Sequence, residues 1–181
     1  RTRHNIGFAV VERVAAEAGV QFVSGPAESQ LAPVRFASVP VLLLKPQTFM
    51  NRSGAAVAGW IARLGLPPGR LIVVHDDLDL PVGRLRIVTA AGTGGHRGVG
   101  SIQEVLGTAD FPRIRVGIGR PGIGEDAAGR VLADAAPEES PALGEAVARA
   151  AEAVRSVILE GLGAAMNRYN ARPRPAAGAP E

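Results

Sequence analysis

Two rhythms of apolar and polar positions run along this chain, and the changes between them mark its elements. Ile6, Val10, Val14 and Ala18, with Val11 and Ala15 beside them, recur at helical spacing, and Gly19 is placed to stop that helix. Phe22-Val23 and Val34-Arg35-Phe36 read as short strands around a Gly25-Pro26 turn. Residues 39–44 form a stronger strand, which Lys45-Pro46 ends. Residues 47–51 read as a loop. Asn51 or Ser53 is then placed to cap a helix running to Leu64, with Ala56, Val57, Trp60, Ile61 and Leu64 on its apolar face. Gly65 and Pro67-Pro68 close it.

Leu71 to Val74 is an apolar run that reads as a buried strand. It empties into His75-Asp76-Asp77-Leu78-Asp79, after which Pro81 and Gly83 force a turn. In an open α/β sheet, ligands and catalysis gather at the carboxyl ends of buried strands. The segments His4-Asn5, Met50-Asn51 and Gly94-Gly95-His96-Arg97-Gly98 lie at similar junctions, so all three are expected to converge on Asp76. Residues 85–88 form a further strand. Glycines 92, 94, 95, 98 and 100 make a loop able to approach a ligand, and residues 101–106 continue as a short helix. Residues 113–118 alternate as Arg, Ile, Arg, Val, Gly and Ile, which predicts an amphipathic strand with its arginines on one face. Residues 121–125 read as a loop and residues 141–162 as a long alanine-rich helix. Residues 166–170 end the ordered chain. The Pro-, Ala- and Gly-rich residues 171–181 are expected to be a disordered tail. Strands alternating with helices predict one α/β domain over residues 1–170, with a mixed, mostly parallel sheet.

Composition narrows the picture only slightly. The chain has 181 residues, enough for one domain with a sizeable core. No apolar run reaches the roughly 18 residues that suggest a membrane span. There is no cysteine, which excludes disulfides and thiolate metal sites. The net charge is +3, but it is unevenly spread. Arg84, Arg86, Arg97, Arg113, Arg115 and Arg120 face only Glu104 and Asp110 over residues 84–120. This reads either as a solvated surface or as a basic face for a polyanion such as nucleic acid. The opening Arg1-Thr2-Arg3-His4, without methionine, reads as a clipped start.

The reactive inventory is small. His4, His75 and His96 form no HxxxH pair, and no metal site is expected. Three carboxylates could hold magnesium, but neighbours on a strand point to opposite faces. Asp76 is placed to orient a histidine by accepting its Nδ1–H, which leaves Nε2 as a base. No GxSxG nucleophile elbow is present, so such a pair would activate water. The alternative is a structural histidine with capping carboxylates. Asn51 is either a helix cap or an amide that polarises a carbonyl or places water. No GxxxxGK[ST] phosphate loop occurs, so the glycine loop is a weak nucleotide signal.

Five segments, in order, resemble the bacterial-type peptidyl-tRNA hydrolase family. They are Thr2-Arg3-His4-Asn5-Ile6-Gly7-Phe8, then Leu44 to Gly54, His75-Asp76-Asp77-Leu78-Asp79-Leu80-Pro81, Gly94-Gly95-His96-Arg97-Gly98 and Arg113 to Gly122. The resemblance implies a twisted mixed sheet between helices. It implies hydrolysis of the ester joining a peptide to the 3′ ribose of tRNA, which recycles tRNA after abortive translation. His4 then matches the catalytic base and Asp76 the carboxylate that orients it. Asn51, beside Met50, matches a holder of substrate and water, and Arg115 matches a contact to tRNA phosphate. The implied enzyme is a cytoplasmic monomer that engages the acceptor end of tRNA, with no cofactor, metal or membrane.

Three departures stand against that pattern. Relatives open with a strand and a Gly-Leu-Gly-Asn-Pro-Gly type loop, which is missing here. Their His-Asn-Gly reads His96-Arg97-Gly98, so a cation replaces a substrate-gripping amide, and Arg97 is expected either to bind substrate there or to meet a phosphate or the tRNA end. Where relatives often carry a tRNA-binding lysine, this chain has Val88, and Arg86 on the same strand face is expected to substitute. The alternative is a non-catalytic RNA-binding protein of the same fold. A phosphate-dependent hydrolase is a third reading, which would need an anion site in the glycine loop.

Overall fold

The computed structural model describes residues 5–120 and 140–171. His4 and residues 121–125 and 172–181 lie outside the described residues. Helix α1 (Ile6–Glu17) buries Ile6, Val10, Val14 and Ala15, the stripe its spacing predicts. An antiparallel meander follows, made of β1 (Val23–Gly25), β2 (Ser29–Phe36) and β3 (Val39–Pro46). Strand β2 starts five residues before the expected Val34, because it pairs with β3 along its whole length, from Ser29 opposite Pro46 to Phe36 opposite Val39. Gly25 is therefore in strand rather than turn. Pro33 is tolerated inside β2 because β1 reaches only to Leu31, so Pro33 lacks a neighbour on that side among the described residues.

One turn at Met50–Arg52 leads into α2 (Ser53–Leu64). Neither expected cap forms. The N-cap position falls on Arg52, and the Ser53 hydroxyl donates instead to the Met50 carbonyl at 2.9 Å. Strands β4 (Val73–Asp77), β5 (Leu85–Val88) and β6 (Arg113–Gly117) make a second sheet in the order β4-β6-β5. Helix α3 (Arg97–Leu106) begins four residues earlier than expected. The expected alanine-rich helix is α4 (Ser140–Glu160), ended by Gly161, whose φ of 91° no helix accommodates, and a further helix not expected from the sequence, α5 (Leu162–Asn170), follows it.

The sheets are mixed. Among the described strands only β4–β6 is parallel, a smaller parallel share than expected, because the short links of the β1–β3 meander can join only antiparallel neighbours. Strand β6 is also not amphipathic. It is the middle strand, and Arg113, Ile114 and Val116 are all fully buried.

Helices α1, α4 and α5 cover one side of the sheets around Val34, Leu85, Ile87, Ile114 and Val116. A smaller core of Val57, Ile102 and Phe111 seats α2 and α3 on the other side. The result is a three-layer α/β domain. No hydrogen bonds join the two sheets among the described residues. Between the outer edges of β3 and β4 runs a cleft of about 1990 Å³ lined mainly by apolar side chains, including Leu42, Leu44, Val73, Val74, Val57 and Val154.

Candidate active site

Strand β4 carries the site. The Val73 amide bonds the Pro112 carbonyl at 3.0 Å, and the Asp77 carbonyl accepts from Ile118 N–H at 3.0 Å. In a parallel ladder this turns the main-chain groups of residues 73, 75 and 77 toward β6. Val74 and Asp76 therefore present theirs to the open cleft edge. Helix α1 presses on that edge so closely that a Cβ on Gly7 would fall 2.4 Å from the Val74 carbonyl oxygen. Asp76 itself lies inside the strand, not after it, and is 4% exposed.

The side chain that reaches Asp76 among the described residues is His96, whose Nε2 lies 3.0 Å from Asp76 Oδ1. Its Nδ1 accepts the Val99 amide at 3.2 Å and so caps α3. An Nδ1 that accepts leaves the proton on Nε2, which donates to the carboxylate. The segment carrying His96 was expected to converge on Asp76, but this bond was not read from the sequence. Its only trace there is a polar residue before an apolar run, with the capping done by an imidazole.

Two close helix contacts bring Met50 to the same place. A Cβ on Gly54 would lie 2.1 Å from the Ser101 carbonyl, and Ser101 Oγ accepts the Gly54 amide at 3.0 Å. These clamp the starts of α2 and α3 together. Met50 then packs on Gly98, where a Cβ would come 2.5 Å from Met50 Sδ. Asn5, Met50, Asp76 and His96 line one polar end of the cleft. Asn51 does not join them. It is exposed in the Met50–Arg52 turn and is not part of the lining.

The other face of β4 organises the cations. Asp77 pairs with Arg115 Nε and accepts the Asp79 amide at 2.8 Å, while Asp79 pairs with Arg120 at 2.9 Å. The three carboxylates therefore diverge to three separate partners, and among the described residues no three His or acidic groups converge as a metal cage. Arg115 stands opposite Arg86 on β5, which is exposed, and its Nη2 lies beside Gly94. Arg97 is exposed at the first position of α3. Arg113, which the sequence placed with the other arginines, instead buries its guanidinium and binds the carbonyls of Ala91 and Gly92, the latter at 3.0 Å. Burial first, then the charge of Arg115, holds its pKa below the ordinary arginine value. It anchors the loop that delivers His96.

His75 is neutral at pH 7. Burial above all, then the neighbouring His96, lowers its pKa from 6.5 to about 4.

The family model for peptidyl-tRNA hydrolase matches residues 1–177 of this chain. The peptidyl-tRNA hydrolase of Chloroflexus aggregans is 48% identical over 171 residues, covering 94% of this chain and 91% of the relative. That of Desulforamulus reducens is 44% identical over 170 residues, covering 94% and 82%. A crystal structure of a peptidyl-tRNA hydrolase in complex with N-propanol superposes with a TM-score of 0.89 at 32% identity, covering 96% of this chain and 89% of that one. The enzyme from Acinetobacter baumannii superposes with a TM-score of 0.88 at 34% identity, covering 94% and 87%.

Proposed function

This chain belongs to the peptidyl-tRNA hydrolase family, and on that premise we propose that it cleaves the ester between peptide and tRNA by activating water with a His4–Asp76 pair. The observation that carries this reading is Asp76. It is a buried carboxylate at the polar end of a cleft, with the first turn of α1 packed against its strand. A carboxylate in that setting can hold an imidazole in one tautomer and stabilise its protonated form as the water loses a proton. The leaving group is the 3′ oxygen of tRNA and the product is a free peptide acid. No covalent intermediate is needed.

In this reading Met50 and Asn51 border the peptide side, with Asn51 turning inward when substrate is bound. Arg115, Arg86 and Arg97 meet the phosphates of the tRNA acceptor end. Asp77 holds Arg115 through Nε, which leaves its Nη nitrogens for a phosphate. Arg97 stands at a helix start, where the helix dipole disfavours a cation, and a cation in the open there suits an anionic ligand. The enzyme acts as a monomer.

The cleft belongs to the same proposal. Two strand edges face each other across an apolar gap, and among the described residues no strand pairs with either on that side. A further strand of the polypeptide, inserted between β3 and β4, would pair both edges and join the sheets.

The test is His4→Ala, with peptide release and tRNA binding measured separately. Release should vanish while binding stays nearly intact. Equal loss of both would remove His4 as the base, and intact release would remove the mechanism.

A further inference from the structure

His75 is buried, adjoins the site, and has no part in the mechanism above. Its Nδ1 lies 2.7 Å from the carbonyl oxygen of Asp76. A carbonyl only accepts, so Nδ1 carries the proton and donates. That carbonyl is one of the groups β4 turns away from β6, toward the cleft. The His75 ring packs edge-on against His96, with centroids 4.8 Å apart at 63°. It walls in the ring that donates to the Asp76 carboxylate.

The remaining nitrogen is the informative one. His75 Nε2 is buried and has no hydrogen-bond partner among the described residues. An unsatisfied buried acceptor is a stability cost. A phenyl ring would fill the same space without that cost. The residue is therefore better suited to its Nδ1 contact than to core stability.

We propose that His75 is a positioning residue. By donating Nδ1–H to the Asp76 carbonyl, it fixes the main chain from which the Asp76 carboxylate projects, and its ring keeps His96 seated on that carboxylate. This rests on the reading that Asp76 takes part in ester hydrolysis. The contribution is made through Asp76 and not by touching substrate, so it belongs to turnover and not to affinity.

The experiment compares His75→Phe, His75→Asn and Asp76→Asn in steady-state peptide release, with melting temperatures taken at pH 5. His75→Phe keeps the ring and loses the donor. Its kcat should fall about tenfold, the scale of one lost hydrogen bond, with KM within about twofold. Its melting temperature at pH 5 should not fall, since an unsatisfied and hard-to-protonate group has been removed. His75→Asn places an amide N–H near the old Nδ1 and should recover most of the rate. A wild-type kcat in His75→Phe overturns the proposal, as does a His75→Asn no faster than His75→Phe. If His75→Phe does not fold, His75→Asn alone decides, with a kcat within about threefold of wild type expected and a larger loss contradictory. Full activity in Asp76→Asn would instead overturn the catalytic reading itself.

Discussion

His96 donates Nε2–H to Asp76 across 3.0 Å while its other ring nitrogen accepts the Val99 amide. One side chain therefore ties the start of α3 to the buried carboxylate of β4. With both ring nitrogens engaged, His96 holds the Asp76 carboxylate in place. Asp76→Asn keeps the shape and removes the charge. Turnover should drop on the order of 10³-fold or more, by analogy with loss of the orienting carboxylate in a catalytic triad. Circular dichroism and the melting curve should stay close to wild type. Near-normal turnover would place Asp76 outside the chemistry.

Arg115 should act on affinity. If it meets a tRNA phosphate, Arg115→Ala weakens binding and lowers the slope of log K against log salt by about one. The check is a binding titration at several salt concentrations. An unchanged slope would mean that the Asp77–Arg115 pair is structural only.

Arg113 should act on stability. Its guanidinium satisfies the carbonyls of Ala91 and Gly92 from a fully buried position. Arg113→Met strands those carbonyls, and the expected loss is about 2–4 kcal/mol in chemical denaturation. The loop that carries His96 should also loosen, with faster amide exchange at Gly94 and Gly95. A loss below about 0.5 kcal/mol would show that the loop holds without its anchor.

The acid limb of stability follows from His75. Its folded pKa of about 4 lies below its ordinary 6.5, so the unfolded chain binds the proton first as pH falls. There is no penalty above pH 6.5. Destabilisation grows from pH 6.5 down to about 4 and then levels, approaching about 3 kcal/mol. Urea unfolding of wild type against His75→Phe should show a difference that grows over that window. Parallel curves would contradict the shifted pKa.

Much of this was legible in the chain. The apolar run into Asp76 marks a strand that carries a buried carboxylate to the cleft, and periodicity places α1, α2 and the core of β3. What stayed hidden has common causes. His96 reaches Asp76 from twenty residues away, brought there by the α2–α3 clamp at Gly54 and Ser101 and by the Arg113 anchor of its loop. Arg113 looked solvated because alternation cannot show that β6 is the middle strand. Asn51 looked like a cap or a site residue, yet in the short turn at Met50–Arg52 it is exposed and caps no helix. The ends of β2 were set by pairing with β3, which no local propensity encodes.

The most direct measurement is release of labelled peptide from peptidyl-tRNA, with tRNA binding followed in parallel. Hydrolysis of the ester is predicted. No release, with tRNA still bound, would contradict the hydrolase account and leave an RNA-binding protein of the same fold.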